Sequence, residues 1–253
     1  MRTVFITGAS SGIGAACAKV LAKEGTYRLL LCARREERLA QLKDELLQSV
    51  EGLDVHTFVL DVRNKEEVFA AIAQLPDDWK NIDVLINNAG LSQGLDAIQD
   101  GDTDDWDRMI DTNVKGLLYV TRAVTPLLKQ SSNAHIVNLG SIAGKEVYPN
   151  GNVYCATKHA VDALNKAMRI DLLPFGIKVT AINPGMVETE FSEVRFHGDK
   201  ERAKSVYTGL TPLSGEDIAE TIVFVLSRPA HVNINDLLIM PTAQANGTLV
   251  NRK

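Results

Sequence analysis

Cysteine is scarce in this chain of 253 residues, which contains only Cys17, Cys32 and Cys155. Their odd number and scattered spacing argue against both a disulfide framework and a zinc site built on CxxC pairs. We therefore expect no bound metal. Free thiols fit a reducing compartment, and no apolar signal region precedes the first apolar run at residues 4–6. These features predict a cytoplasmic protein.

Long apolar runs and an excess of positive charge are also missing. No apolar run approaches the roughly 20 residues that a membrane-spanning helix needs. The chain has 27 Lys plus Arg against 32 Asp plus Glu, a formal charge of −5, so the basic balance typical of a nucleic-acid surface is absent. The 45% hydrophobic content is ordinary for a globular protein and argues against disorder. We expect neither a nucleic-acid partner nor a membrane partner.

What the sequence does contain is a regular alternation of strand and helix patterns. Short apolar runs occur at residues 4–6, 29–32, 55–60, 84–86, 136–139, 179–182 and 237–239. Helical spacing of apolar residues occurs at 15–23, 36–47, 66–75, 106–128, 154–173 and 216–226. This alternation predicts an α/β fold: a doubly wound, Rossmann-like parallel sheet with helices on both faces, forming a single domain over residues 1–253.

One segment, at about residues 186–213, interrupts the alternation. It is long, polar and charged. Loops of this length in compact domains are usually functional lids or disordered. We interpret the segment as a lid over a substrate, and the alternative is a variable surface excursion.

A glycine-rich turn follows the first predicted strand and opens the first helix. Its glycines are spaced Gly-xxx-Gly-x-Gly between Thr7 and Gly14. Such a turn brings the backbone close to a pyrophosphate, which then sits on the N–H groups of the helix start. The candidate cofactor residues here are Gly8, Ser10, Ser11, Gly12, Ile13 and Gly14. The alternative is a plain tight turn.

The end of the second strand indicates which dinucleotide would bind. An NAD site wants an acidic residue there, whereas this chain has Ala33 followed by Arg34 and Arg35. Guanidinium groups suit the 2′-phosphate of NADP, so we expect NADP. The alternative is a solvated basic start to the next helix. After the third strand, Asp61 and Val62 are candidates for the adenine end, although Asp61 could instead cap the helix that follows.

Three side chains carry the predicted chemistry. Tyr154 and Lys158 stand four residues apart, so on a helix they share one face. A lysine ammonium near the phenol would lower the pKa of Tyr154 and prepare it to exchange a proton with a carbinol oxygen. Ser141, at the end of a neighbouring strand, would hold the same oxygen. The alternative for the Tyr-xxx-Lys pair is an exposed pair on a helix surface.

Motifs along the whole chain occur in a characteristic order. They are residues 7–14, Asp61, residues 87–90, Asn113, Ser141, Tyr154, Lys158 and Pro184 with Gly185. This order resembles that of the short-chain dehydrogenase/reductase family. The resemblance implies that Tyr154 is the general acid/base, that Lys158 lowers its pKa and holds the nicotinamide ribose, and that Ser141 orients the substrate.

The resemblance also assigns roles to several other residues. Asn113 would distort its long helix and hold a water in a proton relay to Lys158, although it could also be ordinary polar helix surface. Asn88 would contact the ribose side of the cofactor. The remaining candidates for binding the nicotinamide end of NADP are Pro184, Gly185, Val187 and Thr189. Family members suggest a homotetramer, built on helices that carry Val114, Leu117, Leu118, Val120, Val161, Leu164 and Met168.

One branch of the family is similar over further segments: residues 106–116, 151–154, 189–196 and 229–235. That branch, the NADP-dependent 3-hydroxy acid (serine or allo-threonine) dehydrogenases, oxidises the 3-hydroxyl of short hydroxy acids. Such a substrate carries a carboxylate, and a buried carboxylate needs a partner. Arg195 is our candidate clamp, and the alternative is that Arg195 pairs with Glu190 or Glu193. Lys145 and His197 are weaker candidates.

Three functions therefore stay open. The first is hydride transfer between NADP and a small 3-hydroxy acid such as serine, allo-threonine or 3-hydroxypropionate, or the corresponding semialdehyde or ketone. The second is a general carbonyl reductase or 3-oxoacyl-carrier reductase, although no basic docking patch for a carrier is evident. The third is a non-catalytic dinucleotide sensor, against which the intact Ser141, Tyr154 and Lys158 argue.

Overall fold

Seven strands form one sheet in the computed structural model, which describes residues 1–253 throughout. The strands are β1 (Arg2–Thr7), β2 (Tyr27–Ala33), β3 (Val55–Val59), β4 (Val84–Asn87), β5 (His135–Leu139), β6 (Lys178–Pro184) and β7 (Asp236–Ile239). Each neighbouring pair is parallel, in the order β3-β2-β1-β4-β5-β6-β7. The order reverses between β1 and β4, where the carboxyl ends of parallel strands leave a crevice for ligands.

Nine helices accompany the sheet. They are α1 (Gly12–Lys23), α2 (Glu36–Ser49), α3 (Lys65–Ala73), α4 (Thr103–Ile110), α5 (Leu117–Leu128), α6 (Asn152–Asp171), α7 (Phe191–Arg195), α8 (Lys200–Ser205) and α9 (Gly215–Leu226). None of them combines the length and the apolar character that crossing a bilayer requires.

Two apolar cores lie on opposite faces of the sheet. Alternate residues of β1 point to each face: Val4 and Ile6 pack with α1, α2 and α9, whereas Phe5 packs with α3, α5 and α6. All three side chains are fully buried. Because both faces are covered, the strands read as continuous apolar runs in the sequence. The predicted single-domain, doubly wound α/β fold is confirmed.

The helix predicted over residues 106–128 is interrupted. α4 ends at Ile110, a π-helical turn spans Asp111–Gly116, and α5 begins at Leu117. The buried Asn113 side chain exchanges two hydrogen bonds with the backbone of Leu91, each 2.8 Å long. A widened turn of this kind often occurs at functional sites, and here it carries Asn113 into the interior.

The segment at 186–213 is not an unstructured loop, because it contains the short helices α7 and α8. Its two ends meet: Glu188 N donates to Leu213 O at 2.8 Å, and Leu213 N donates to Met186 O at 2.9 Å. The segment therefore leaves the body of the protein and returns to the same point. This arrangement suits a lid, which stays a prediction.

The chain after Met240 folds back onto this segment. Arg252 Nη2 donates to Val206 O at 3.0 Å, and Lys253 N donates to Gly209 O at 2.9 Å. At the other end, Met186 N donates to Gln244 Oε1 at 2.8 Å. These contacts fasten the tail within its own chain.

The apolar residues expected at a subunit interface are mostly used in the core of the chain itself. Leu117, Val120, Val161 and Met168 are buried, and Leu118 alone among the predicted set is well exposed. Their apolar character therefore follows from packing against the sheet. A helix that is apolar on several sides is buried, but it need not be buried by another subunit.

Candidate active site

A cleft runs along the carboxyl edge of the sheet at the crevice between β1 and β4. Most of the predicted site residues line it: Gly8, Ser10, Ser11, Gly12, Ile13, Arg34, Arg35, Asp61, Val62, Asn88, Ser141, Tyr154, Lys158, Pro184, Gly185, Val187 and Thr189. Three predicted site residues, Gly14, Asn113 and Arg195, do not line this cleft. The structure thus brings the predicted cofactor residues and the Ser-Tyr-Lys set to one surface.

The glycine turn leaves the start of α1 open to a ligand. Gly8 has a φ of +67°, which favours glycine, and a Cβ on Gly14 would lie 2.4 Å from the carbonyl oxygen of Gly8. Ser11 precedes α1 without a side-chain cap, and the first turn of α1 holds no acidic residue. Uncapped N–H groups at a helix start are suited to a pyrophosphate, so these residues fit a dinucleotide.

Asn88 performs a structural task that sequence reasoning did not foresee. Its Nδ2 donates to the carbonyl oxygens of Thr7, at 2.9 Å, and Gly8, at 3.1 Å. Asn88 therefore ties the end of β4 to the glycine turn and fixes the shape of that turn. It also lines the cleft, so its predicted contact with the cofactor ribose stays a prediction.

The two arginines after β2 both line the cleft, and one of them is held by its neighbours. Arg35 Nη2 donates to Ser11 Oγ at 2.7 Å, and its Nη1 donates to Glu190 Oε2 at 3.1 Å. Arg38, one turn further along α2, also forms an ion pair with Glu190. Sequence reasoning named neither Arg38 nor Glu190 at this site, because their contact joins residues about 150 positions apart.

The alternative interpretation of Asp61 as a helix cap is wrong. Asn64 caps α3, because its side chain accepts a hydrogen bond from the backbone N–H of Glu67 at 3.2 Å. Asp61 instead accepts from Arg63 Nη2 at 2.6 Å. Although burial opposes it, the Arg63 hydrogen bonds keep the pKa of the Asp61 carboxyl below its usual range. Asp61 is therefore a charged acceptor at the predicted adenine end of the cleft.

Ser141, Tyr154 and Lys158 lie together, buried, at the middle of the cleft. Ser141 lies two residues after the end of β5, and its Oγ accepts a hydrogen bond from Ala143 N at 3.1 Å. The α6 helix carries Tyr154 and Lys158, and Lys158 Nζ donates to Leu139 O at 2.8 Å. The Tyr154 ring stands edge-on to Phe191 of α7, with centroids 5.6 Å apart. The alternative of an exposed helix pair is therefore wrong.

Burial dominates the pKa values of both α6 residues. It raises the pKa of the Tyr154 phenol well above its ordinary value, while hydrogen bonding to Ser141 and the charge of Arg195 act in the opposite direction. Burial also lowers the pKa of Lys158 from 10.5 to about 8. Lys158 Nζ lies 6.0 Å from the centroid of the Tyr154 ring. That Lys158 lowers the pKa of Tyr154 stays a prediction.

Asn113 connects the π-helical turn to the helix of Tyr154. Its Nδ2 donates to Leu91 O and, at 3.1 Å, to Thr157 Oγ1 on α6. A Cβ built on Gly90 would lie 3.2 Å from Asn113 Oδ1 and 3.7 Å from Lys158 Nζ. Asn113 and Lys158 therefore flank the same glycine. The side chain is buried, so the alternative of polar helix surface is wrong.

Arg195 lies behind Tyr154 rather than in the main cleft. Its guanidinium carbon is 5.4 Å from the centroid of the Tyr154 ring, and its Nη2 donates to Tyr148 Oη at 2.6 Å. The alternative pairing of Arg195 with Glu190 or Glu193 is wrong, because no acidic side chain lies within ion-pair distance of Arg195. Its Nε is buried without a hydrogen-bond partner. Sequence reasoning missed Tyr148. The one signal that could have found it is that it is an aromatic residue between Ser141 and Tyr154.

The two weaker candidates for the carboxylate clamp, Lys145 and His197, each contact acidic side chains. Lys145 bridges Asp162 and Asp236, which ties α6 to β7. His197 Nε2 lies 2.9 Å from Asp105 Oδ2, where the lid segment meets α4. Both side chains already have acidic partners.

Comparison with known proteins agrees with this geometry. Residues 2–200 match the family model for short chain dehydrogenases. Sulfoacetaldehyde reductase 2 of Chromohalobacter salexigens is 48% identical over 96% of this chain and 95% of its own length. The NADP-dependent 3-hydroxy acid dehydrogenase YdfG of Salmonella typhi is 46% identical over 96% of each chain. A solved closed form of serine dehydrogenase complexed with NADP+ is 42% identical and superposes with a TM-score of 0.92, over 100% of both chains.

A dinucleotide cradle beside a buried Ser-Tyr-Lys set defines an oxidoreductase of the doubly wound α/β class. The protein belongs to the short-chain dehydrogenase/reductase family. The predicted family and the prediction that the chain is an enzyme are therefore confirmed. A non-catalytic sensor is no longer among the candidate functions.

Proposed function

We propose that the protein is an NADP-dependent oxidoreductase of small 3-hydroxy acids. It would transfer a hydride between the nicotinamide and the 3-hydroxyl carbon of an acid such as serine, allo-threonine or 3-hydroxypropionate, or the corresponding semialdehyde or ketone. The observation that carries the proposal is the position of Arg195. An arginine without an acidic partner lies 5.4 Å from the ring of the proton-transferring tyrosine, with a buried N–H that has no acceptor.

The residues of the cleft support NADP as the cofactor. The uncapped start of α1 would hold the pyrophosphate, and Arg34 and Arg35 would hold the 2′-phosphate. The NADP prediction agrees with the names of the relatives, among them an NADP-dependent 3-hydroxy acid dehydrogenase and a serine dehydrogenase complexed with NADP+. No acidic residue stands at positions 33–35, where an NAD site wants one.

The side chains of the cleft would handle the proton that accompanies the hydride. When bound, NADPH supplies a hydride to the carbonyl carbon, and NADP+ accepts one from the carbinol carbon. During reduction, the Tyr154 hydroxyl would give its proton to the substrate oxygen and become a phenolate. During oxidation, the phenolate would take the proton of the substrate hydroxyl. A phenol whose pKa is raised by burial stays protonated at neutral pH, which suits the reductive direction. Ser141 would hold the same oxygen by a hydrogen bond.

Lys158 and Asn113 would complete the proton path. Because its pKa is about 8, Lys158 can give up a proton near neutral pH and receive one afterwards. Asn113 Oδ1 and Lys158 Nζ both lie close to Gly90, so a water between them would connect the lysine with the interior of the π-helical turn. This relay would restore the proton that Tyr154 donates. Lys158 would also hold the nicotinamide ribose.

Arg195 would recognise the acidic end of the substrate. The guanidinium presents planar pairs of donors that match a carboxylate. Tyr148 accepts a hydrogen bond from Nη2 and so fixes the orientation of the group without neutralising its charge. A neutral carbonyl compound would leave this partly buried charge unpaired, which is unfavourable. The arrangement therefore favours an acid over a plain alcohol or ketone.

A second candidate is an oxidoreductase that acts on a sulfonate-bearing aldehyde. The supporting observation is the 48% identity with sulfoacetaldehyde reductase 2 over nearly the whole chain. A sulfonate is an anion of the same charge as a carboxylate and would use the same guanidinium. Both candidates place the anion at Arg195 and the reacting carbon at Tyr154, and they differ only in the anionic group.

A panel of substrates tests the proposal. Serine, allo-threonine, 3-hydroxypropionate and two neutral alcohols of similar size are oxidised with NADP+ and with NAD+, and sulfoacetaldehyde is reduced with NADPH. Arg195→Ala is assayed on the same panel beside Arg202→Ala, a matched control on α8 whose guanidinium stacks on Phe196. We expect the acids with NADP+ to give the highest kcat/KM.

Arg195→Ala and Arg202→Ala should differ in their KM for the acids. Because a lost charged hydrogen-bonding partner costs about 1.5–3 kcal/mol, Arg195→Ala should raise KM for the acids by about 10- to 100-fold. The neutral alcohols and the Arg202→Ala control should change little. Equal losses on acids and neutral alcohols would overturn the clamp, and a preference for sulfoacetaldehyde would favour the second candidate.

We further propose that the protein acts in the cytoplasm as a homotetramer. All three cysteines are free and buried, which fits a reducing compartment. Near the end of α6, Ile170 and Leu173 expose 73% and 74% of their surface, an apolar area that a second subunit would cover. Light scattering coupled to size-exclusion chromatography measures the mass directly.

A further inference from the structure

The carboxylate of Glu190 pairs with Arg35, one of the two arginines that would bind the 2′-phosphate, and with Arg38. Glu190 directly precedes α7 in the lid segment, and it lines the cleft. One of its oxygens accepts from Arg35 Nη1 at 3.1 Å and the other from Arg38 Nη1. Arg35 also donates to Ser11 Oγ in the glycine turn at 2.7 Å. Glu190 therefore connects the lid to α2 through Arg38, and to the glycine turn through Arg35.

These ion pairs are of the kind that exchange readily. The side chains of Arg35, Arg38 and Glu190 are 44%, 47% and 39% exposed. Ion pairs that solvent reaches to this extent contribute little net stability, so a stronger anion can replace one partner. A phosphate monoester carries about −1.5 to −2 charges at neutral pH and offers three acceptor oxygens, against one charge and two oxygens for a carboxylate.

The Glu190 carboxyl is charged at neutral pH. Although burial opposes it, hydrogen bonds from Arg38 and Arg35 lower the pKa of its carboxyl below the usual value. The carboxylate therefore repels any second anion that approaches the same guanidinium groups. Arg34, which has no ion-pair partner and lines the cleft, would give that second anion its first contact.

We propose that Glu190 is a specificity-determining residue that competes with the 2′-phosphate of NADP for Arg35. This inference rests on the proposed cofactor. Binding of NADP would require the phosphate to displace the carboxylate from Arg35, whereas NAD, which lacks the phosphate, would leave the ion pairs intact. Glu190 thus reduces the preference for NADP below what the arginines alone would give. It also links the lid to the occupancy of the phosphate site.

Calorimetric titration tests the proposal without turnover. The probes are adenosine 2′,5′-bisphosphate, which carries the 2′-phosphate and no nicotinamide, and 5′-AMP, which lacks the 2′-phosphate. The proteins are the wild type, Glu190→Gln and the matched control Glu193→Gln, a neighbouring glutamate of α7 that makes no ion pair and does not line the cleft. Melting temperatures of the three proteins confirm that each is folded.

The proposal predicts tighter binding of the bisphosphate by one variant only. Removing a unit charge about 5 Å from a phosphate in solvent should tighten binding of adenosine 2′,5′-bisphosphate to Glu190→Gln by about 3- to 10-fold. Binding of 5′-AMP, and both titrations of Glu193→Gln, should match the wild type. Unchanged or weaker binding of the bisphosphate by Glu190→Gln would overturn the competition.

The same titrations separate failure of this inference from failure of the proposed cofactor. If the wild type binds adenosine 2′,5′-bisphosphate no more tightly than 5′-AMP, the NADP assignment fails and the inference falls with it. If the wild type prefers the bisphosphate and Glu190→Gln does not improve on it, only the role of Glu190 is refuted.

Discussion

Tyr154 and Lys158 are both buried in the cleft, and burial has opposite effects on their pKa values. It raises the pKa of the phenol, whose charged form is the anion, and it lowers that of the ammonium, whose charged form is the cation. Both shifts favour neutral side chains. A buried lysine without an acidic partner also makes folding less favourable wherever the unfolded chain would carry its charge.

Replacing Lys158 by methionine should therefore stabilise the protein while abolishing turnover. The folded pKa of about 8 lies below the unfolded value of 10.5, so the penalty is complete below pH 8 and disappears as pH rises towards 10.5. The shift corresponds to about 3 kcal/mol at most, and loss of the hydrogen bond to Leu139 will offset part of it. Urea unfolding of Lys158→Met and wild type at pH 7 and pH 10 measures the difference.

Lys166→Met is the matched control for this measurement. Lys166 lies on the same helix, is 60% exposed and pairs with Asp162. Its replacement should leave the pH dependence of the unfolding free energy like that of the wild type. The account would be contradicted if Lys158→Met were no more stable than the wild type at pH 7, or if its gain in unfolding free energy grew with pH. Either result would show that burial of Lys158 does not destabilise the folded protein.

Single residues were predictable where the chemistry is local. Tyr154 and Lys158 share a helix turn, and the glycines define their own turn, so their spacing in the chain was sufficient. Tyr148 and Glu190 were not predictable, because their roles come from contacts with Arg195 and with Arg35 that only the folded chain creates. Spacing along the sequence carries no information about such contacts.

At the scale of elements, the close approach of α1 to β4 shapes the cofactor end of the cleft. Gly14 lies in the first turn of α1 against the carbonyl of Gly8 and the amide of Asn88. Any larger residue at position 14 would push α1 away from the sheet edge. The glycine turn and the helix start would then lose the spacing that suits a pyrophosphate.

Gly14→Ala should weaken both folding and dinucleotide binding. The new Cβ would lie 2.4 Å from Gly8 O and 2.5 Å from Asn88 Nδ2, and both neighbours are fixed by hydrogen bonds. Overpacking of this kind costs about 1–3 kcal/mol. The melting temperature and the Kd for NADP+ report the two effects.

A second substitution on the same helix serves as the control. Lys23→Ala changes an exposed residue in the last turn of α1 and should alter the unfolding free energy by less than about 0.5 kcal/mol. If Gly14→Ala behaves like Lys23→Ala in both measurements, the tight packing at Gly14 does not matter for the cleft.

The elements themselves were predictable to different degrees. All seven strands were found, because strands buried on both faces read as continuous apolar runs. α7 and α8 were missed, since five and six residues are too few for a helical period to show. The π-helical turn at Asp111–Gly116 could not be read from apolar spacing, because it depends on Asn113 reaching the backbone of Leu91.

At the scale of the whole molecule, the fold collects distant parts of the chain at one edge of the sheet. The glycine turn after β1, the arginines after β2, Ser141 after β5 and the lid after β6 all line one cleft. Parallel strands make this possible, because their carboxyl ends meet at the same edge. The reaction that we propose needs all of these parts to act on one substrate.

Tyr154→Phe is the most direct test of this account, because it removes one oxygen and leaves the ring that packs against Phe191. The measurement is kcat for NADPH-dependent reduction of the preferred acid's carbonyl form, together with the Kd for NADPH. The account predicts that kcat falls by about 10²- to 10⁴-fold, the usual contribution of a positioned acid, while the Kd stays unchanged. Turnover by Tyr154→Phe at the wild-type rate would contradict it.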